Sequence, residues 1–303
     1  MRPDVIDRLE QVGMMDPDDE NVKKQSQFKE VMKRLAKNKM AILGLVIVLL
    51  YVLIAIFAPL ITQYDYAAID LKNKNQAPSL AHLCGTDDMG RDIFTRLVYG
   101  TRYSLGLGFT SVIVSLIAGI FLGCVAGYFG GVVEETIMRF CDVFQAIPGT
   151  LLAIIISSAL GSGLVNTVIA LSVSRVPFTC RMIRAQFLNQ RKLEYVEAAQ
   201  AENCSKFTLM FKHILPNAIS PVIVATTMGI GGTIMMAASL SYIGLGIQPP
   251  TPEWGAMLSE GRNYFDTYPW LMIFPGIAIM IVVLAVNQFG DGLRDAIDPK
   301  LKR

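Results

Sequence analysis

Between Met40 and Ile61 the chain carries no charged residue. An apolar run of that length crosses the hydrocarbon core of a bilayer as a single helix. It begins after a long polar segment and is about twice as long as the apolar region of a cleavable signal peptide, so it reads as a retained anchor. Composition extends the point to the whole chain: 52% hydrophobic and 17% charged residues, with a mean hydropathy of +0.45, are too apolar for an ordinary soluble domain. Further runs lie at Tyr103 to Tyr128, about Thr136 to Leu160, about Val165 to Met182, Ala218 to Ile243 and Trp270 to Phe289. The expected fold is an all-α integral membrane protein with six transmembrane helices.

Six spans leave both termini on one side, and the distribution of Lys and Arg says which. With the N-terminus in the cytoplasm, twenty Lys and Arg residues fall inside and six outside, the six being Lys72, Lys74, Arg91, Arg96, Arg102 and Arg262. The opposite orientation inverts a strong bias. The net charge of +2 gives no reason to expect nucleic acid as a partner. Of the five cysteines only Cys84 falls in a clearly external loop, so no intramolecular disulfide is expected there. Two histidines, His82 and His213, and no Cys/His cluster of ligand spacing leave no metal site to expect.

Three segments follow along the chain. Residues 1–39 form a cytoplasmic N-terminal segment, with an acidic stretch Asp16 to Glu20 and then a basic one. In the basic stretch Phe28, Val31, Met32, Leu35 and Ala36 recur at helical spacing, which predicts an amphipathic helix on the inner membrane face. Residues 40–102 hold the first span and a long external loop, irregular at first and then amphipathic around Ile93, Leu97 and Val98. Residues 103–303 form the remaining transmembrane core, including a polar segment at 190–217 between the fourth and fifth spans.

Within the spans, Gly119, Gly123 and Gly127 are four apart and predict a close helix–helix seam. Gly229, Gly231 and Gly232 cluster in the fifth span, where they serve packing, a hinge, or both. Charges inside spans require a reason. Asp142 has Arg139 three residues before it, at pairing distance on a helix. Arg175 lies mid-span beside Pro177, and two readings stand open: it faces a water-filled pathway with Gly231 and meets an anionic group such as a peptide carboxylate, or a partner subunit neutralises it.

The polar segment divides in two. Leu193, Val196 and Ala199 or Gln200 give one short amphipathic helix, and Phe207, Met210, Phe211 and Ile214 repeat at i, i+3, i+4 and i+7 to give another. Between them Asn203 tolerates the left-handed conformation that ends a helix, Ser205 is a ready N-cap, and Pro216 marks the break before the fifth span. A helix-turn-helix lying on the inner membrane face with its carboxylates and small residues exposed is shaped to be gripped; a merely solvated loop needs no such repeat.

These residues resemble a known family. Glu197-Ala198-Ala199, the turn and Ile214-Leu215-Pro216 are similar to the EAA coupling loop of ABC importer permeases. Gly85-Thr86-Asp87-Asp88-Met89-Gly90-Arg91-Asp92, Arg181-Met182-Ile183-Arg184, Leu240 to Gly246, Pro252-Glu253-Trp254-Gly255 and Gly290 to Pro299 resemble the C-type permease subunit of dipeptide, oligopeptide and nickel importers. The resemblance runs from about Lys33 to the end. Two departures stand out: Asn203, preceded by Glu202, where the family usually has Gly, and Val176 beside Pro177, where relatives often carry Trp.

The resemblance implies a type I importer permease fold in a bacterial or archaeal cell membrane. It implies a second permease subunit, two cytoplasmic ATPases that bind ATP and Mg²⁺, and an external substrate-binding protein. Peptides are the expected solute, with nickel or another small solute as the alternative. The ATPases are expected to meet Glu194, Glu197, Ala198, Ala199, Glu202, Asn203, Phe207 and Pro216, with Glu197 making the polar contact and the alanines permitting close approach. The external protein is expected on the loops holding Asp87, Arg91 and Trp254, although Trp254 and Trp270 also suit interface anchors. The chain has no G-x-x-x-x-G-K-[ST] phosphate loop, so energy is expected to arrive by contact and no catalytic residue is assigned. An ion-coupled transporter, the rival class, calls for midplane carboxylates, and a membrane enzyme for a convergent catalytic cluster; neither is evident.

Overall fold

The computed structural model describes residues 27–297. Among them the secondary structure is helical apart from an isolated bridge between Thr86 and Asp92. In chain order the helices are α1 (Gln27–Leu35), α2 (Lys39–Ile61), α3 (Ile93–Phe129), α4 (Gly131–Gln145), α5 (Gly149–Leu160), α6 (Leu164–Gln190), α7 (Glu194–Ala201), α8 (Lys206–Thr208), α9 (Leu215–Ala218), α10 (Ser220–Tyr242), α11 (Trp254–Gly261) and α12 (Trp270–Ile297). A π-turn, Leu209–Ile214, joins α8 to α9.

Four helices, α2, α3, α10 and α12, are long and apolar enough to cross a membrane. The pair α4 and α5 makes a fifth if counted as one span, but it bends by 88°. The expected run from Thr136 to Leu160 is therefore broken. Pro148 caps α5 and lacks an N–H, and it disfavours helical backbone at Ile147, so the helix cannot continue through that point. The 27-residue α6 has the length of a span but carries Arg175, Arg181 and Arg184.

Local chemistry sets the ends of α2. The Asn38 side chain accepts from the amides of Met40 and Ala41 at 3.1 and 3.2 Å, satisfying donors that the first turn leaves free. Near the other end Pro59 cannot donate to Ala55. Arg102 fills that gap: its Nε donates to the Ala55 carbonyl, and its Nη2 to that of Ile56 at 2.9 Å.

The seam read from Gly119, Gly123 and Gly127 is present, and it holds α3 against α6. A Cβ on these residues would lie 2.5, 2.6 and 2.5 Å from Thr179, Cys180 and Phe187 respectively. Only glycine permits that approach. The amphipathic helix expected along the outer surface at Ile93, Leu97 and Val98 is instead the first turns of α3. Ile93 and Val98 are buried in the bundle, and the Asp92 side chain caps α3 by accepting from Thr95 N at 2.7 Å.

Antiparallel packing gives the bundle two distinct ends. Gly292 of α12 lies against Ala41 of α2, and Leu35 of α1 packs with Ala41 and Ala296. The amphipathic α1 thus buries part of its apolar face against α12 rather than lying wholly along the membrane surface. The acidic stretch Asp16 to Glu20 and the final Asp298-Pro299 lie outside the described residues. The polar hairpin of α7 to α9 sits at this same end, while the segment 62–92 and α11 occupy the other.

Candidate functional site

The hairpin is built around one turn. Asn203 has φ +57°, the left-handed conformation that Asn adopts more readily than other residues with a Cβ. The Cys204 amide donates to Ala199 O at 3.3 Å and the Asn203 amide to Gln200 O at 3.0 Å. This is the paired closure that ends a helix at a left-handed residue. Ser205 then caps α8 by accepting from Thr208 N at 3.1 Å. Glu194 and Glu197 stand in the first turn of α7, where a negative charge suits the helix dipole.

One face of the hairpin is glued to the bundle. Val196, Ala199, Leu209, Met210 and Ile214 are buried together with Cys124 of α3, Ile183 and Phe187 of α6 and Val222 of α10. Full burial of Val196 alone contributes about 1.5–3 kcal/mol. The opposite face is free: Glu194, Glu197, Ala198, Glu202, Asn203, Phe207 and Pro216 are exposed, Phe207 at 70%. Ala199 does not belong with them. It points into the core and supplies a carbonyl to the turn, so of the two alanines only Ala198 permits outside approach. The expected inward face of the second helix also changes, because the π-turn inserts a residue per turn. Leu209 turns inward, and Phe207 stands outside with its ring 4.5 Å from that of Phe211.

The opposite end carries a second group of sequence-marked residues, and there the expectation fails. Asp87 and Arg91 are 4% and 5% exposed and Trp254 is 1% exposed, so none of the three offers a docking surface. Asp87 accepts from Arg91 Nε at 2.7 Å and from Arg96 Nη1. Glu260 of α11 accepts from Arg91 and Arg96, both at 2.7 Å. The cluster clamps the 85–92 loop and α3 onto α11. Trp254 Nε1 donates to Leu97 O at 3.1 Å, and beside it Glu253 is fully buried, capping α11 through Ala256 N and accepting from Ser104. Burial raises the Glu253 carboxyl above the ordinary carboxylate range, against the opposing pull of amide and hydroxyl donors. Arg96 and Glu260 are not among the sequence-marked site residues, and Glu253 appears there only within the motif Pro252-Glu253-Trp254-Gly255, with no role of its own.

Two in-membrane assignments also change. Asp142 pairs with Arg181 of α6 and not with Arg139, which reaches Glu135 at 3.5 Å. A second pair, Glu134 with Arg184, ties the same helices. Of the three pathway residues, Pro177 is buried, and Gly231 is packed so that a Cβ would lie 2.6 Å from Asn287 Oδ1. Helix α10 runs unbroken through its glycines. Arg175 alone keeps open surface; it donates from Nη1 to Gly229 O at 3.2 Å and to Thr233 Oγ1 at 3.1 Å.

A bundle of membrane-crossing helices that anchors a polar hairpin by one face and presents its carboxylates on the other defines a multi-pass membrane permease component. Residues 119–303 match the family described as binding-protein-dependent transport system inner membrane component. Residues 26–78 match the N-terminal transmembrane domain of oligopeptide transport permease C. The chain is 48% identical to a dipeptide transport system permease protein of Alkalihalophilus pseudofirmus, covering 91% of each chain. It is 40% identical to an oligopeptide transport system permease protein of Bacillus subtilis, covering 92% of this chain and 91% of that one. In fold it is similar to a chain of the MetNI methionine ABC transporter in an inward-facing conformation, with TM-score 0.54 and 20% identity over 68% of this chain and 98% of that one. The chain therefore belongs to the binding-protein-dependent inner membrane components, and it is a permease subunit of an ABC importer.

Proposed function

We propose that this permease crosses the membrane six times with both ends in the cytoplasm, forms half of a pathway for di- or oligopeptides, and is driven through its hairpin by two cytoplasmic ATPases. The observation that carries the reading is the two-faced hairpin. Its apolar side is fixed to the inner ends of α3, α6 and α10, while Glu194, Glu197 and Glu202 have no side-chain partner among the described residues. A rigid element fastened to several helices transmits a push to all of them. The contacts of α1 and α2 with the end of α12 bring the two ends of the described chain together, which supports an even number of crossings.

ATP and Mg²⁺ belong to the ATPases, and the solute is delivered by an external binding protein at the end opposite the hairpin. Peptides are favoured because relatives at 40–48% identity are named for dipeptide and oligopeptide transport. The test is reconstitution. The chain should copurify with a second permease and an ATPase whose hydrolysis rises when a peptide-loaded binding protein is added. Peptide uptake by liposomes holding this chain alone would sink the proposal.

A further inference from the structure

Arg175 is the arginine of this bundle whose charge the chain itself leaves unanswered at membrane depth. It lies eleven residues into α6 and touches α10 at Gly229, nine residues from that helix's start. At 1.5 Å per residue both paths put the guanidinium about 14–17 Å along the helices, near the middle of a hydrocarbon layer about 30 Å thick. Arg91, Arg96, Arg181 and Arg184 each reach a carboxylate of this chain. Exposed Arg102 and Arg191 reach carbonyls at helix ends. Arg175 makes no ion pair among the described residues. Its Nη1 has two neutral acceptors, and its Nε is buried without a partner.

The position is nonetheless built for this side chain. A Cβ at Gly229 would lie 2.0 Å from Arg175 Nη2, so glycine keeps the seat open. The Thr233 hydroxyl accepts from Arg175 and donates to the same Gly229 carbonyl at 2.9 Å. A cation with a permanent anion has no use for such a neutral cradle. One that gains and loses its anion does, because something must hold the guanidinium in the interval. Neutral hydrogen bonds are weak enough to be exchanged for a charged one.

We infer that Arg175 is a transient subsite for the carboxylate of the transported solute, with Gly229 and Thr233 as its resting partners. This deepens the peptide reading and rests on it, since every free peptide carries an α-carboxylate that is ionised at neutral pH.

The experiment uses the complete reconstituted importer and compares uptake of a free dipeptide with that of its C-terminal amide, both at concentrations that saturate the binding protein. Arg175→Gln should cut uptake of the free dipeptide about tenfold while leaving the amide close to wild type, and Arg175→Lys should recover part of the loss. Gly229→Ala, which displaces the guanidinium but keeps its charge, should lower the same ratio and serves if Arg175→Gln fails to assemble. Equal loss of both substrates, no loss of either, or dissociation of the two permeases would overturn the subsite; the last would assign Arg175 to a carboxylate of the second permease. A wild-type importer that moves neither peptide, with ATP hydrolysis running, would overturn the peptide reading and the subsite with it.

Discussion

The two ends of the bundle hold charged residues of similar kinds in opposite states. At the loop end Asp87, Arg91, Arg96 and Glu260 are drawn together, desolvated and mutually paired. At the hairpin end Glu194, Glu197 and Glu202 stand exposed, and the burial is done by apolar neighbours. As sequence both regions look like charged motifs on loops, and Asp87 and Arg91 at one end, like the three glutamates at the other, read as docking residues. Burial separates them: a charge whose partners lie within the chain fixes shape, whereas a charge left in water on a rigid element is available to something else.

The strongest test of that contrast is Glu197→Lys. It reverses an exposed charge, so membrane insertion and thermal stability should match wild type while ATP-driven uptake falls to background. Normal uptake would remove the hairpin from the drive train. At the loop end the opposite pattern is expected. Asp87→Ala leaves Arg91 and Arg96 with Glu260 as their shared carboxylate, which costs about 3 kcal/mol, the low end for a broken buried pair. It should appear as lost stability in detergent and reduced membrane abundance. An Asp87→Ala protein of wild-type stability that lost only its response to the binding protein would return Asp87 to the docking surface and erase the distinction.

A smaller effect probes how the hairpin keeps its shape. Asn203→Val forces a β-branched side chain into a left-handed turn, at a cost of about 1–2 kcal/mol, and should loosen α7, visible as faster amide exchange across 194–205. Asn203→Gly should be neutral to within about 0.5 kcal/mol, since glycine adopts this conformation freely. If both behave like wild type, the turn is held by its neighbours and not by its own residue.

What was legible follows the range of the interaction. Four of the six apolar runs, those at Met40 to Ile61, Tyr103 to Tyr128, Ala218 to Ile243 and Trp270 to Phe289, together with the glycine seam, the turn at Asn203 and the cap at Ser205, depend on a residue's own conformational preferences or on spacing along one helix, and these appear where expected. Asp142 with Arg181, Gly231 against Asn287 and Arg96 with Glu260 join residues from different helices, and no local spacing encodes which helices meet. Pro148 was readable as a break but sat inside an apolar run whose hydropathy masked it. The π-turn had no signal at all: a repeat at i, i+3, i+4 and i+7 assumes regular winding, and one extra residue moved Phe207 out and Leu209 in.

Within the loop-end cluster Asp88 is the loose member, and it refines the comparison. Its nearest cation, Arg91, is 3.9 Å away and already engaged by Asp87 and Glu260. Burial chiefly, then the charges of Asp87 and Glu260, raise its carboxyl above the ordinary value, with Arg91 and Lys74 opposing. A raised folded-state value means that the folded protein holds this proton more tightly than the unfolded chain. The stabilising contribution is complete below the unfolded value of about 3.9 and is lost as pH rises through the folded one. At neutral pH the Asp88 charge is thus a mild burden, and Asp88→Asn should stabilise the reconstituted protein by about 0.5 kcal/mol, discounted for its solvent contact. The gain should shrink to nothing as thermal unfolding is followed down toward pH 4. A loss of stability at neutral pH would mean that Asp88 is a full partner of Arg91, and that the cluster binds its cations with three carboxylates, not two.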